Sequence, residues 1–144
     1  MAIHIRDAQP GDEAAVVSLM RELAQTEGET TPLTEAFAGT YLKEPDCHIL
    51  LAEVDGHSAG LLSYSVRPSL WHAGPAALIE DVVVSQNCRN SGVGSALMAE
   101  LLHRLQADGF TEVSVAVMPN NKNAQRFYRS HGLVEEAIFL ERHF

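Results

Sequence analysis

Apolar and polar positions along this chain change rhythm many times. Residues 2–6 (AIHIR) alternate and predict a short strand. Val16, Val17, Met20, Leu23 and Ala24 recur at helical spacing and predict an amphipathic helix over 10–25, with Pro10 suited to its first turn. Thr34 is a capping residue ahead of a shorter helical stripe with Phe37, Tyr41 and Leu42, which Pro45 stops. HILLAEV (48–54) and SAGLLSYSVRP (58–68) are strands around an Asp55-Gly56 turn. AALIEDVVV (76–84) is almost continuously apolar, which predicts a strand buried on both faces. Val93, Leu97, Met98, Leu101, Leu102 and Leu105 predict a strong helix that Gly109 ends. TEVSVAVM (111–118) is a strand, and PNNKNA opens a helix with Ala124, Phe127 and Tyr128 on one side, closed by Gly132. LVEEAIFLERHF reads as a final strand.

The order is β-α-α-β-β-β-α-β-α-β. Its first half is a meander, and its second half alternates strand and helix, which requires parallel neighbours and right-handed crossovers. The prediction is an α/β fold in one domain over 1–144: a mixed sheet with helices on both faces.

Composition narrows the function classes. The 144 residues, 46% hydrophobic, suit one core-bearing domain. A formal net charge of −9 argues against nucleic acid, whose phosphates need a basic face. It suits a cationic small molecule, and it equally suits solubility alone. MAIHIRDAQPGDE has no basic or apolar leader pattern, and no apolar run is long enough to span a bilayer. The expectation is a cytoplasmic protein without a membrane partner. Cys47 and Cys88 form no CxxC pair, and the seven histidines have no ligand spacing, so no metal site is expected.

The chemistry-bearing stretch is QNCRNSGVGSALMAELL, residues 86–102. Arg89, Asn90, Ser91, Gly92, Val93, Gly94 and Ser95 lie between a buried strand and a helix start. Glycines admit close backbone approach, and free N–H groups at a helix start hold anions. Arg89 adds a fork suited to phosphate. A Walker A loop is excluded because no lysine follows Gly94. A dinucleotide fingerprint is excluded because Leu97 stands at its third small position. On spacing alone, a plain glycine loop before a helix remains open.

The combination of IEDVVV, R89-x-x-G92-x-G94 and N121-x-x-A124-x-x-F127-Y128-x-x-x-G132 resembles the GCN5-related N-acetyltransferase superfamily. The element order agrees over essentially the whole chain. The resemblance implies a mostly antiparallel sheet whose fourth and fifth strands run parallel and splay apart. It implies acetyl-CoA as acyl donor, with loop amides of Asn90 to Ser95 on the pyrophosphate and the strand end Val82, Val83 and Val84 along the pantetheine arm. By the same resemblance Asn121 and Ala124 contact the cofactor, and Tyr128 lies beside its sulfur. The chain departs from the commonest pattern at Asn90 and Ser91, where Gly-Lys is frequent, and at Ser85, where Pro is usual. Asn tolerates left-handed backbone, so the loop survives the change.

N-acetylation needs a neutral amine, and a free alkyl ammonium has a pKa of about 10.4. Glu80 interrupts an apolar strand and is the best candidate to take the proton; a satisfied structural carboxylate is the alternative. An N–H of Val82 or Val84 suits the oxyanion, and the Tyr128 phenol suits protonation of the departing thiolate, with a basic limb below about pH 10. Tyr128 also lies in a helical stripe of the kind that packs a core. Asp81 points away from Glu80 by strand alternation and reads as structural. Glu27 and Glu29 end the first helix where diamine acetyltransferases resemble this chain, so Glu27 is an acceptor-side candidate or a solvated helix end. Trp71, with His72 in the SLWHAGP loop, either lines the acceptor cleft or packs.

The expected function is transfer of acetyl from acetyl-CoA to a primary amine of a small cationic molecule, diamine- or polyamine-like. A protein lysine, N-terminal or aminosugar acceptor is the enzymatic alternative, and an acetyl-CoA-binding sensor module the non-catalytic one. A homodimer through the edge of the final strand IFLERHF is a further expectation.

Overall fold

A computed structural model describes residues 2–144. Five strands form one sheet in the order β1-β2-β3-β4-β5: β1 (Ile3–Asp7), β2 (Cys47–Val54), β3 (His57–Ser69), β4 (Gly74–Val84) and β5 (Glu112–Val115). The first four are antiparallel neighbours, and β4 and β5 run parallel. The mixed sheet with a parallel β4/β5 pair is therefore as expected.

Helices α1 (Glu13–Thr26) and α2 (Glu35–Tyr41) cover one face; α3 (Val93–Ala107) and α4 (Lys122–Ser130) lie on the other. Thr34 caps α2, its hydroxyl accepting the Phe37 N–H at 3.1 Å. Helix α1 starts at Glu13 rather than near Pro10, because residues 10–11 form a turn first. Arg6 holds that entry, donating to both Asp12 carboxylate oxygens at 2.8 Å and to Glu53 at 2.6 Å.

Two apolar layers follow from strand alternation. Leu50, Ala52, Leu62, Ala77 and Ile79 meet Val93, Leu97, Met98, Leu101 and Leu105 of α3. Ile49, Leu51, Leu61 and Val83 meet Val16, Val17 and Leu19 of α1 and Ala38 of α2. β4 is buried from both sides, as its apolar run predicts.

The final strand does not form. Residues 133–144 have no sheet partner, and Ile138 is 86% exposed. The Leu133 N–H closes back onto the Tyr128 carbonyl, and Arg129 pairs with Glu136 at 3.0 Å, so the chain leaves along α4. Ala137, Ile138, Phe139 and Leu140 are consecutive apolar residues with no period of two, so no pairing register is specified. Among the described residues the outer edge of β5 is unpaired, and no helix is long and apolar enough to cross a membrane.

Candidate active site

The site is built on β4. Its pairing with β5 covers Ala76 to Ile79, opposite Glu112 to Val115, and stops there. From Glu80 to Val84 the β5 side of the strand has no ladder partner, while Asp81 to Val84 still pair with β3 on the other side. Val82, Val83 and Val84 therefore keep one row of backbone groups open to a slot between the parting strands.

The β3 side carries a second irregularity at the same place. Ser63 faces Asp81 and Tyr64 faces Ile79, so Glu80 is the extra residue of a β-bulge. A bulge changes the phase of alternation. Ala77 and Ile79 pack toward α3 before it, and Val82 and Val84 pack the same way after it. Val83 packs toward α1 and α2. Asp81 thus shares a face with Val83 and is not turned away from Glu80, contrary to simple alternation. Ser63 fixes this orientation: it lies on the Leu61 face, is 4% exposed, and donates its hydroxyl to Asp81 Oδ2 at 2.7 Å.

Glu80 lies at the surface of the strand, and its carboxyl is held above the ordinary range by desolvation and then by the charge of Asp81. The α2 residue Tyr41, half-buried against the same face, has its phenol pushed up by burial and then by Cys47, Glu80 and Asp81. Tyr41 and Ser63 were not singled out from the sequence. Tyr41 was visible only as one member of an apolar helical stripe, and a serine inside a strand has no signal.

Beyond Val84 the chain makes a short 3-10 turn (Gln86–Cys88) and enters α3. Asn90 adopts the left-handed region at φ 60°, as its tolerance for that geometry allows, and Gly92 does so at φ 87°. Gly92 is the cap of α3 and supplies no side-chain bond. The first intrahelical bond runs from the Ala96 N–H to the Gly92 carbonyl, so the Val93, Gly94 and Ser95 amides have no partner within the helix. No acidic residue lies in that first turn. This is a donor set suited to an anionic diphosphate, with Ser91 beside it.

Helix α1 clamps the loop. The Ser85 hydroxyl and Gln86 N–H both donate to Glu22 Oε1 at 3.4 Å, and Arg89 Nη2 donates to Thr26 Oγ1 at 3.0 Å. Arg89 Nε also reaches the Val84 carbonyl at 3.5 Å. The Arg89 fork is thus partly engaged by its own chain, a loop-bracing role its sequence position did not reveal.

Helix α4 stands against the start of α3. A Cβ at Gly94 would lie 3.4 Å from the Phe127 ring. Asn121 caps α4, its side-chain oxygen accepting the Ala124 N–H at 3.1 Å, which leaves its amide NH2 for other partners. Tyr128 packs edge-to-face on Phe127 with ring centroids 5.2 Å apart and lies against the α3-side core. Its phenol is pushed up to about 12, by burial first and then by Asp81. Glu80, Asp81 and Tyr128 thus share one electrostatic neighbourhood, and a basic limb from this phenol moves from about pH 10 to about 12.

Glu27 and Trp71 are not brought to that neighbourhood. Glu27 is the exposed C-cap of α1, at the end that docks on Ser85 to Arg89. Trp71 is 91% exposed in the β3–β4 turn. From Gly74 to Glu80 the strand alone runs about 20 Å at roughly 3.3 Å per residue. His72 pairs with Glu112 of β5 at 2.9 Å and ties the turn to the sheet edge. A groove of about 460 Å³ between α1 and α2, lined by Arg21, Glu22, Gln25 and Glu35 among others, includes neither Glu80 nor Tyr128.

Comparison with known proteins agrees with this architecture. The acetyltransferase (GNAT) family model matches residues 14–133. An aminoalkylphosphonate N-acetyltransferase of Salmonella typhimurium is 27% identical over 128 residues, covering 89% of this chain and 82% of that protein. A thialysine N-epsilon-acetyltransferase of Bos taurus is 27% identical over 146 residues, covering 90% and 83%. An aminoglycoside acetyltransferase from an uncultured soil metagenomic sample superposes with a TM-score of 0.85 at 20% identity, covering 99% and 95%, and shares the fold. With a splayed β4/β5 pair, an open α3 amide turn and a family match across most of its length, this chain is an N-acetyltransferase and belongs to the GNAT family.

Proposed function

We propose that this enzyme transfers an acetyl group directly from acetyl-CoA to a primary amine of a small cationic acceptor of the diamine or polyamine class. The observation that carries the reading is the parting of β4 and β5 after Ile79, beside a carboxylate pair. Among the described residues no Lys or Arg forms an ion pair with Glu80 or Asp81. A protonated amine supplies the missing positive charge.

Acetyl-CoA supplies the acetyl thioester. The Val93, Gly94 and Ser95 amides, with Asn90, Ser91 and Gly92 shaping the approach, would hold its diphosphate, and Arg89 would brace the loop. Val82 to Val84 would pair the pantetheine arm along the slot, and Asn121 and Ala124 would flank it from α4. Glu80 accepts the acceptor's ammonium proton, directly or through water; its raised pKa brings it closer to neutral pH, where a base is most effective. An N–H of Val82 or Val84 donates to the carbonyl oxygen as charge develops there. Tyr128, protonated up to about pH 12, delivers a proton to the departing sulfur, and the second nitrogen proton, lost as the amide forms, restores the phenol through solvent. The new bond is amine N to acetyl C, and the broken one is acetyl C to sulfur.

For the acceptor we assign contact to Glu80. The exposed apolar tail and the free β5 edge support the further reading that the enzyme works as a homodimer.

The test is release of CoA thiol by the purified protein with spermidine, thialysine, glucosamine 6-phosphate, an aminoglycoside and a lysine peptide. Release with spermidine or thialysine is expected. Release only with the peptide or the sugar phosphate transfers the proposal to the protein or aminosugar alternative. No release, with acetyl-CoA still raising the melting temperature, favours a binding module.

A further inference from the structure

We propose that Asp81 is a positioning residue of the transfer reaction, locked by Ser63 so that its negative charge keeps Glu80 basic and draws the acceptor's ammonium to it. The inference rests on the reading of Glu80 as proton acceptor and adds a residue to it.

In regular β-structure neighbouring residues point to opposite faces, and two adjacent carboxylates barely interact through the sheet. Here the extra residue at Glu80 puts both side chains on the α1/α2 face. Like charges brought together repel, and each raises the proton affinity of the other group. Such an arrangement is costly unless something fixes it. Ser63 does so from β3, nine-tenths or more buried, with a 2.7 Å bond that charge makes strong. The bond holds the Asp81 carboxylate in place on this face, and Glu80 has its pKa raised by burial and then by Asp81.

The surrounding groups leave that charge uncompensated. From β2 the neighbour is Cys47, from α2 Tyr41, and from α4 Tyr128; none is a cation at neutral pH. From α1, Glu22 is engaged by Ser85 and Gln86 at the strand end. The phenols of Tyr41 and Tyr128, which feel the charge of Asp81, bring no positive charge to it, and the acceptor supplies one. The influence of Asp81 on Glu80, Tyr41 and Tyr128 shows how widely it reaches across the slot.

The experiment compares wild type, Asp81→Asn and Ser63→Ala by two readouts. The first needs no substrate: the Glu80 carboxyl carbon is titrated by NMR. Asp81→Asn keeps the shape and the Ser63 bond but removes the charge. It should lower the Glu80 pKa, and Ser63→Ala should lower it less. An unchanged Glu80 titration in a folded Asp81→Asn protein overturns the inference. The second readout is steady-state kinetics across pH with the best amine of the panel. Asp81→Asn should raise KM for the amine at least tenfold, leave KM for acetyl-CoA within about twofold, and move the acid limb of kcat/KM to lower pH. An unshifted acid limb with an unchanged amine KM also overturns it. If no amine is acetylated by wild type while the Glu80 titration still shifts, the acceptor class is wrong and the coupling of Asp81 to Glu80 stands.

Discussion

Gly60 is where the sheet, α3 and the loop between them meet, and one methyl group there tests the coupling between them. It pairs with Val84 at the end of β4. A Cβ at this position would lie 2.8 Å from Val93 Cγ1, 3.0 Å from the Val83 carbonyl oxygen and 3.3 Å from Leu97 Cδ1. The first and third belong to fully buried side chains of α3, and the second is backbone. None can swing into solvent, so α3 must move away from the sheet. Overpacking of this kind costs about 1–3 kcal/mol. For 144 residues the unfolding entropy at about 2.1 cal/mol/K per residue converts this to a Tm lower by roughly 3–10 °C. Val93 donates one of the three open amides, so the displacement should also raise KM for acetyl-CoA several-fold while leaving KM for the amine unchanged. Gly92→Ala is the comparison. Nothing lies within 4 Å of its Cβ, and only the left-handed φ of 87° opposes it, so it should cost about 1 kcal/mol. Calorimetry and acetyl-CoA saturation curves decide. A Gly60→Ala protein that melts with wild type and saturates at the same acetyl-CoA concentration refutes the packing argument.

Tyr128→Phe should lower kcat by about 10²-fold or more with acetyl-CoA binding intact, and kcat within threefold of wild type would remove the phenol as acid. The wild-type rate should show no basic limb from Tyr128 below pH 11, because its pKa is pushed up to about 12. Glu80→Gln should lower kcat/KM by about 10²-fold and raise Tm at pH 7–8. The folded carboxyl has a raised pKa, so its contribution to stability is present below the unfolded pKa and lost as pH rises through the folded one. The Tm gain should therefore vanish near pH 4, and a gain at both pH values would point to packing instead. On the proposal that the protein is a homodimer through its tail, deleting residues 138–144 should give a monomer in sedimentation velocity, with a Tm loss of a few degrees at most, because this segment has no sheet partner within the chain.

Periodicity made most of the fold legible. The α3 stripe and the β4 apolar run are long and unambiguous, and both elements lie where their patterns put them. The loop ahead of α3 was legible because Gly92 and Gly94 sit at a strand-to-helix junction, where backbone geometry asks for small residues. The final strand was misread because Ala137 to Leu140 are apolar without alternation, and apolar content alone names no partner. The orientation of Asp81 was misread for the opposite reason. Alternation is a sound rule until one residue is inserted, and nothing in the letters IED marks the insertion. Arg89 was read as a free phosphate fork because its partner Thr26 is 63 residues away in sequence.

The bulge and the parting of the strands are one structural event. Both begin at Ile79, the last residue of β4 that pairs with β5 and the last before the extra residue opposite β3. A bulge bends its strand and increases local twist. β5 also ends at Val115, opposite Ile79, so the second half of β4 has no neighbour on that side from the residue where the carboxylate stands. After the bulge the alternation resumes in shifted phase, which is why Val82 and Val84 still face the α3 core and Val83 the α1 core. The sheet thus keeps both of its apolar layers intact while interrupting its hydrogen-bond ladder on one side. That combination explains how an apolar, doubly covered strand can hold an exposed carboxylate in its middle. The cost of the irregularity falls on Glu80 itself, which has no partner on β3, and on backbone pairing at the β5 side, which a ligand with amide groups can restore.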